Sequence, residues 1–205
     1  MGLQHYFSSD PDKRARFIFN FIAPIYGYLG TSLEKNFLHS IVAVDKHVGV
    51  EGKSVIDLGT GTGAWAANFK RRGATQVMGV DFAGKMLDKA KNNYPAMQFV
   101  QGDAENLAQF DDDSFDIVTA SFVLHGVKEH KRANMLSEMR RVSRKHIVVH
   151  DFIGKTPPFI RFLEFMERSD YKFFKQNFCN ELKSYFGNAK KIPTKFGTGI
   201  YIAEK

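Results

Sequence analysis

The stretch Ser54-Val55-Ile56-Asp57-Leu58-Gly59-Thr60-Gly61-Thr62-Gly63 constrains the fold more than any other part of this chain. An apolar strand that ends near an acid and runs straight into alternating glycines builds a nucleotide-type pocket. Glycines at 59, 61 and 63 permit positive φ and let a ligand approach the backbone closely. Ala64 to Phe69 then continues as a helix whose first N–H groups face the turn. The next apolar segment, Gln76-Val77-Met78-Gly79-Val80-Asp81, ends in a second acid, 22 residues after Gly59. At that distance a parallel α/β unit brings a carboxylate to the two hydroxyls of a ribose.

Two cofactor classes use this geometry. Gly59-x-Gly61-x-x-Ala64 can be read as the dinucleotide fingerprint, with a pyrophosphate at the helix N-terminus. Asp57 argues against it, because a carboxylate beside the loop repels a diphosphate but attracts an ammonium or sulfonium group. A third acid closes another apolar segment, Gln98-Phe99-Val100-Gln101-Gly102-Asp103-Ala104-Glu105. Acids after three successive strands suit a cofactor with a ribose, an adenine amino group and a cationic amino-acid tail.

On these residues the chain resembles the class I S-adenosylmethionine-dependent methyltransferases, over essentially its whole length after the first fifty residues. Val55 to Gly63 matches as the glycine loop and Gly79-Val80-Asp81-Phe82 with Met86-Leu87 as the ribose segment. Gly102-Asp103-Ala104 matches as the adenine segment, and Phe115 to Ser121 as the fourth strand. The cofactor implied is S-adenosyl-L-methionine, held by Tyr26, Asp57, Gly59, Thr60, Gly61, Gly63, Asp81, Phe82, Met86, Asp103, Ala104 and Ser121. Phe19-Asn20-Phe21-Ile22-Ala23-Pro24-Ile25-Tyr26 is most similar to the ubiquinone/menaquinone biosynthesis C-methyltransferase group. Two departures, Gly27 where that group has an acid and Ala83 where it often has serine, leave cofactor binding in place and loosen the tie to a quinone acceptor.

The coarse pattern is α/β. Helices are expected over 12–23 and 32–48, and strands near 53–57, 76–81, 97–100, 115–120 and 146–151 with helices between them. Such alternation implies a Rossmann-like, doubly wound, mostly parallel sheet with helices on both faces. Helical segments are expected from Pro157 through Phe174 and over 177–186, then strands over 190–196 and 199–203. The resemblance implies seven strands, with the last two forming a hairpin and the final strand antiparallel beside strand five. With 43% hydrophobic residues the chain can bury a substantial core. We expect a single domain over 1–205, comprising an N-terminal helical cap over 1–50, a cofactor-binding core over 51–151, and substrate-side helices with the hairpin over 152–205.

The only cysteine, Cys179, suits a reducing compartment and reads as a small, at least half-buried residue. Neither a signal-peptide pattern at Met1 to Asp12 nor a membrane span is evident, since Asn20, Pro24, Gly27 and Gly30 interrupt the longest uncharged run. The protein reads as cytoplasmic. Its net charge of +7 owes much to Lys128, Lys131, Arg132, Arg140, Arg141, Arg144 and Lys145. With Met135, Leu136, Met139 and Val142 facing inward, these form an ordinary solvated helix face. The segment also admits peripheral contact with an acidic membrane surface, whereas the lack of interleaved aromatic residues disfavours nucleic acid.

Phenylalanines cluster at 17–22 and 159–166, with Phe173, Phe174 and Phe178 soon after. They read as a satellite core at the rim above the strand ends, as an apolar lid over the acceptor, or as both. Methyl transfer asks the protein to align a nucleophile and, where the acceptor loses a proton, to supply a base. His125, just beyond strand four, is the best-placed catalytic candidate. A structural histidine bonded to nearby backbone is the competing reading. His150-Asp151 comes second, and Tyr26 belongs to the lid. The Asn/Asp-Pro-Pro-aromatic signature of amino methylation is missing after strand four, and no Cys/His cluster has metal-ligand spacing. The expectation is methyl transfer to carbon or oxygen of an apolar small molecule, quinone- or lipid-like. The rivals are an RNA or protein methyltransferase docking through 128–145 and a non-catalytic cofactor-binding module.

Overall fold

The computed structural model describes residues 37–154, 171–195 and 197–205. Tyr26, the expected helix over 12–23, the first part of that over 32–48, and both phenylalanine-rich stretches, 17–22 and 159–166, lie outside these residues.

In chain order the elements are α1 (Leu38–Val48), β1 (Ser54–Leu58), α2 (Ala64–Arg71), β2 (Gln76–Asp81), α3 (Gly84–Asn93), β3 (Gln98–Gln101), β4 (Phe115–Ser121), a short 3-10 turn (Leu124–Gly126), α4 (Glu129–Val142), β5 (Ser143–Phe152), α5 (Tyr171–Phe186), β6 (Lys190–Pro193) and β7 (Thr198–Glu204). They build one seven-stranded sheet in the order β3-β2-β1-β4-β5-β7-β6. Strands β1 to β5 pair in parallel, while β7 runs antiparallel to both β5 and β6. The Rossmann-like sheet and its inserted final strand are therefore as expected. Successive connections carry the chain outward from β1 to β3, then back across to β4. The crevice between the carboxyl ends of β1 and β4 is the topological switch point, where sheets of this kind bind ligands.

The central strands are apolar on both faces because helices cover both. On one face Ile56, Leu58, Val118, Ala120, Ile147 and Val149 pack with Met135, Leu136, Met139 and Val142 of α4 and with Phe174, Phe178, Leu182 and Phe186 of α5. On the other, Val55, Val77, Ile117, Val148 and Ile200 pack with Phe37, Ile41 and Val44 before and within α1, and with Trp65 and Phe69 of α2. Phe174 and Phe178 stack at 4.4 Å, and Phe178 meets Tyr201 of β7 edge-on at 4.9 Å. This corrects one expectation, since these two phenylalanines belong to the main core and not to a satellite cluster or lid. Their spacing along α5 puts them on the stripe that faces the sheet.

Strand β5 starts at Ser143, directly after α4, three residues earlier than expected. Ser143 pairs with Phe115 across a bulge that separates this pair from Ile117–His146. The Arg144-Lys145 pair hides that start, because both side chains are exposed there.

Candidate functional site

The loop after β1 has all three glycines at positive φ: 66° at Gly59, 55° at Gly61 and 84° at Gly63. Their surroundings differ. A Cβ at 59 would lie 2.5 Å from Val123 Cγ2, whereas one at 61 would meet nothing within 4 Å. The loop thus leans on the chain beyond β4 and leaves its Gly61 edge open at the switch point.

Asp81, buried at the end of β2, ties this loop down. Its Oδ2 accepts the Gly61 N–H at 2.8 Å and its Oδ1 the Ala83 N–H at 2.8 Å. Burial raises its pKa, and the backbone N–H groups of Ala83, Gly61 and Phe82 pull it back. Each oxygen keeps acceptor capacity for a hydroxyl.

Asp57 lies one residue before the end of β1, with 1% of its surface exposed. Thr60 Oγ1 donates to its Oδ2 at 2.7 Å. The Ala66 N–H, in the first turn of α2, also faces the carboxylate, yet Oδ1 has no formed hydrogen bond among the described residues. Burial, reinforced by the nearby Asp81 charge and opposed by Thr60, pushes the Asp57 carboxyl up to about 8. A buried carboxylate with one oxygen unmatched is a natural counter-charge for a cationic group, which would bring the pKa back down.

Phe82 packs with Ala83 and Met86 in a small apolar cluster beside Asp81. Asp103 follows β3, is exposed, and accepts the Glu105 N–H at 2.9 Å; the Gly102 N–H joins this turn to the Asp81 carbonyl at 3.1 Å. Ala104 is half-buried nearby. Hydrogen bonds therefore link Asp57, Thr60, Gly61, Gly63 and Asp81 in one loop system that runs through Gly59, with Phe82, Met86, Asp103 and Ala104 alongside. Ser121 differs. Its Oγ shares a hydrogen bond with His150 Nδ1 at 2.9 Å, on the β4–β5 side.

That side holds a second constellation. His150 Nε2 lies 3.1 Å from Ser40 Oγ of α1, and its ring stacks on Trp65 at 5.0 Å. Burial lowers the His150 pKa to about 3, which keeps the imidazole neutral at physiological pH. Phe122, with φ 55°, donates its N–H to the His150 carbonyl at 2.9 Å. A bulky residue in the left-handed region is strained, and such residues cluster where function needs a fixed shape. His125 is buried, and its Nδ1 stands 2.7 Å from Asp151 Oδ1. Its side-chain partner is thus a carboxylate, where the structural reading of this histidine had expected backbone. Neither the Ser40–His150–Ser121 chain nor the Phe122 strain was found from sequence, because a helix-borne serine and a phenylalanine φ leave no local signal. The adjacency His150-Asp151 was visible, but not its split between two networks.

The basic segment is the expected solvated face only in part: Lys128, Arg140, Arg144 and Lys145 are exposed, but the rest is drawn into pairs. Arg132 is fully buried, its Nε 2.9 Å from both carboxylate oxygens of Glu181 and its guanidinium 5.7 Å from the Phe174 ring centroid. Lys131 pairs with Glu105 at 3.0 Å, Arg141 with Glu138 and Asp112 at 2.8 Å, and Arg144 with Asp116 at 2.9 Å. Among the described residues no group of three or more His, Cys, Asp or Glu could hold a metal, and no helix is long and apolar enough to cross a membrane.

Comparison with known proteins matches residues 55–146 to a methyltransferase domain family. The chain is 38% identical over 135 residues to the 2-phytyl-1,4-naphtoquinone methyltransferase of Nostoc punctiforme, covering 61% of this chain and 57% of that protein. It is 36% identical over 150 residues to the demethylmenaquinone methyltransferase of Renibacterium salmoninarum, covering 71% and 61%. The chain thus spans less than two thirds of these relatives' lengths. Among solved structures, a putative S-adenosyl-L-methionine-dependent methyltransferase from Methanococcus maripaludis superposes with a TM-score of 0.68 at 17% identity, covering 91% of this chain and 93% of that one. Magnesium protoporphyrin IX methyltransferase from Synechocystis, solved with bound S-adenosylhomocysteine, gives 0.61 at 16%, covering 85% and 84%. Likeness in sequence runs through a methyltransferase domain over residues 55–146, and likeness in shape shows that the whole sheet shares the fold of these solved methyltransferases.

Proposed function

We propose that this chain transfers the methyl group of S-adenosyl-L-methionine to carbon or oxygen of an apolar, quinone-like small molecule. The observation that carries the cofactor is Asp57, buried with Oδ1 unmatched beside the open edge of Gly61, because it fits a cationic amino-acid tail and not a diphosphate. Asp57, Gly59, Thr60, Gly61 and Gly63 would take that tail, Asp81 with Phe82 and Met86 the ribose side, and Asp103 with Ala104 the adenine. Ser121 would border the pocket from β4, and Tyr26 would cover the methionine end. When bound, the cofactor supplies an electrophilic methyl and its own leaving group. The chain must therefore orient the acceptor, exclude water and, where needed, take a proton at His125.

The acceptor class is supported by relatives named for phytylnaphthoquinone and demethylmenaquinone. Aromatic rings beyond β4 and β5 support it independently: Phe122 and Phe152 lie 4.8 Å apart, and Phe152 and Tyr171 5.4 Å. A single cysteine supports a cytoplasmic enzyme, and a lipid-like acceptor would bring it to a membrane surface peripherally. Calorimetry with S-adenosylhomocysteine and NAD, followed by transfer assays on reduced naphthoquinones, tests the reading. Saturable binding of S-adenosylhomocysteine without NAD binding is expected, and the reverse would overturn it.

A further inference from the structure

The His125–Asp151 pair carries a further step, which rests on the methyl-transfer reading above. Asp151 is fully buried near the end of β5. Its Oδ1 accepts the Phe152 N–H at 2.8 Å, and its Oδ2 lies 3.4 Å from the His125 N–H, so two backbone groups fix the carboxylate. Oδ1 is also 2.7 Å from His125 Nδ1, off the line of a straight hydrogen bond, so the carboxylate meets the Nδ1–H dipole of the ring at an angle. A deprotonated Nδ1 would set its lone pair against a carboxylate oxygen at that distance. The proton therefore belongs on Nδ1, and Nε2 is the ring's basic nitrogen.

Aromatic rings surround the imidazole. Phe152, Tyr171, Phe174 and Phe122 have ring centroids 5.2, 5.9, 6.3 and 6.4 Å from that of His125. Among the described residues, the titratable and charged groups packed around the pair are Tyr171 of α5, Tyr201 of β7, whose hydroxyl donates to the Phe152 carbonyl at 3.4 Å, the neutral His150 of β5, and Arg132 of α4, already paired with Glu181.

We infer that Asp151 is the positioning residue that holds His125 as proton acceptor for a hydroxyl on an aromatic acceptor ring. In that step the acceptor O–H bond breaks and its electron pair stays on oxygen. An N–H bond forms at Nε2, Asp151 balances the imidazolium, and the proton passes to water. Negative charge on the ring oxygen then makes that oxygen, or the ring carbon beside it, the nucleophile.

Nitrogen-15 NMR of the ligand-free wild-type chain reads the tautomer directly. Nδ1–H with a bare Nε2 at His125 is expected at neutral pH, and either the opposite tautomer or a doubly protonated ring overturns the proposal without any variant. Asp151→Asn should turn the ring over, because an amide donating to Nδ1 forces the proton to Nε2. Transfer to a reduced naphthoquinone should then fall about a hundredfold or more, with S-adenosylhomocysteine affinity unchanged within about twofold. An unchanged rate in the folded variant overturns it too. If Asp151→Asn does not fold, the wild-type spectrum decides. The expected tautomer in a chain that binds no S-adenosylhomocysteine supports the pairing and counts against methyl transfer.

Discussion

In the proposed site, Asp57 would trade stability for binding. Its folded pKa of about 8 exceeds the ordinary 3.8, so the folded state keeps a proton that the unfolded chain loses in between. The stabilising contribution is fully present below 3.8 and is lost as pH rises through about 8. Asp57→Asn should therefore raise the melting temperature of the ligand-free protein, by more at pH 9 than at pH 6. It should also weaken S-adenosylhomocysteine at least tenfold, about 1.4 kcal/mol. Calorimetry and thermal melts check both halves, and a gap that does not widen with pH would show Asp57 to be solvated. Asp81 differs in kind because it already accepts the Gly61 and Ala83 N–H groups. Asp81→Ala should weaken the cofactor product tenfold to a hundredfold, matching about 1.5 to 3 kcal/mol for charge-assisted hydrogen bonds. It should also speed proteolysis within residues 59–63 when no ligand is present. Affinity loss with an unchanged loop would assign Asp81 to the ligand alone.

At the scale of elements, the pair Arg132–Glu181 joins α4 to α5. Removing one partner of a buried pair strands the other, so Arg132→Met should cost about 3–5 kcal/mol. Arg132→Met with Glu181→Leu should recover most of that, and denaturant melts of the two variants measure the difference. If the double variant is no better than the single, packing of the guanidinium on Phe174 dominates instead. The sequence held a clue to this burial, since Arg132 precedes Met135, Leu136 and Met139 at helical spacing and so belongs to the inward stripe. Charge alone had placed it outside. Strands β1 to β3 were legible because their apolar runs end in glycines or acids, β4 as an apolar run of its own, and the β6–β7 pairing only through family resemblance. What stayed hidden joins residues far apart in sequence. Ser40 meets His150 across 110 positions and Arg132 meets Glu181 across 49, and neither contact perturbs local periodicity. The loop side of the site is local and could be read, while the side beyond β4 and β5 is tertiary and could not.

For the molecule as a whole, the question is whether a net charge of +7 makes a docking surface. A polyanion-binding face needs cations that are free and adjacent. In the basic segment Lys131, Arg132, Arg141 and Arg144 each have a carboxylate partner, while Arg140 donates to the Tyr185 carbonyl and lies over the Phe186 ring at 5.8 Å. The cations of this segment are therefore largely taken up in local pairs, which leaves it without a focused field. Counterion release makes the consequence measurable. A protein contacting 6–10 phosphates loses roughly 10³–10⁵ in affinity between 50 and 200 mM salt. A small apolar acceptor releases no such ions, so its turnover should change less than about twofold across that range. Transfer to a reduced naphthoquinone, measured beside binding of a labelled single-stranded RNA at both salt concentrations, separates the two. We expect near-constant turnover and no saturable RNA binding at the higher salt. Tight RNA binding with a steep salt slope would move the acceptor from small molecules to nucleic acid.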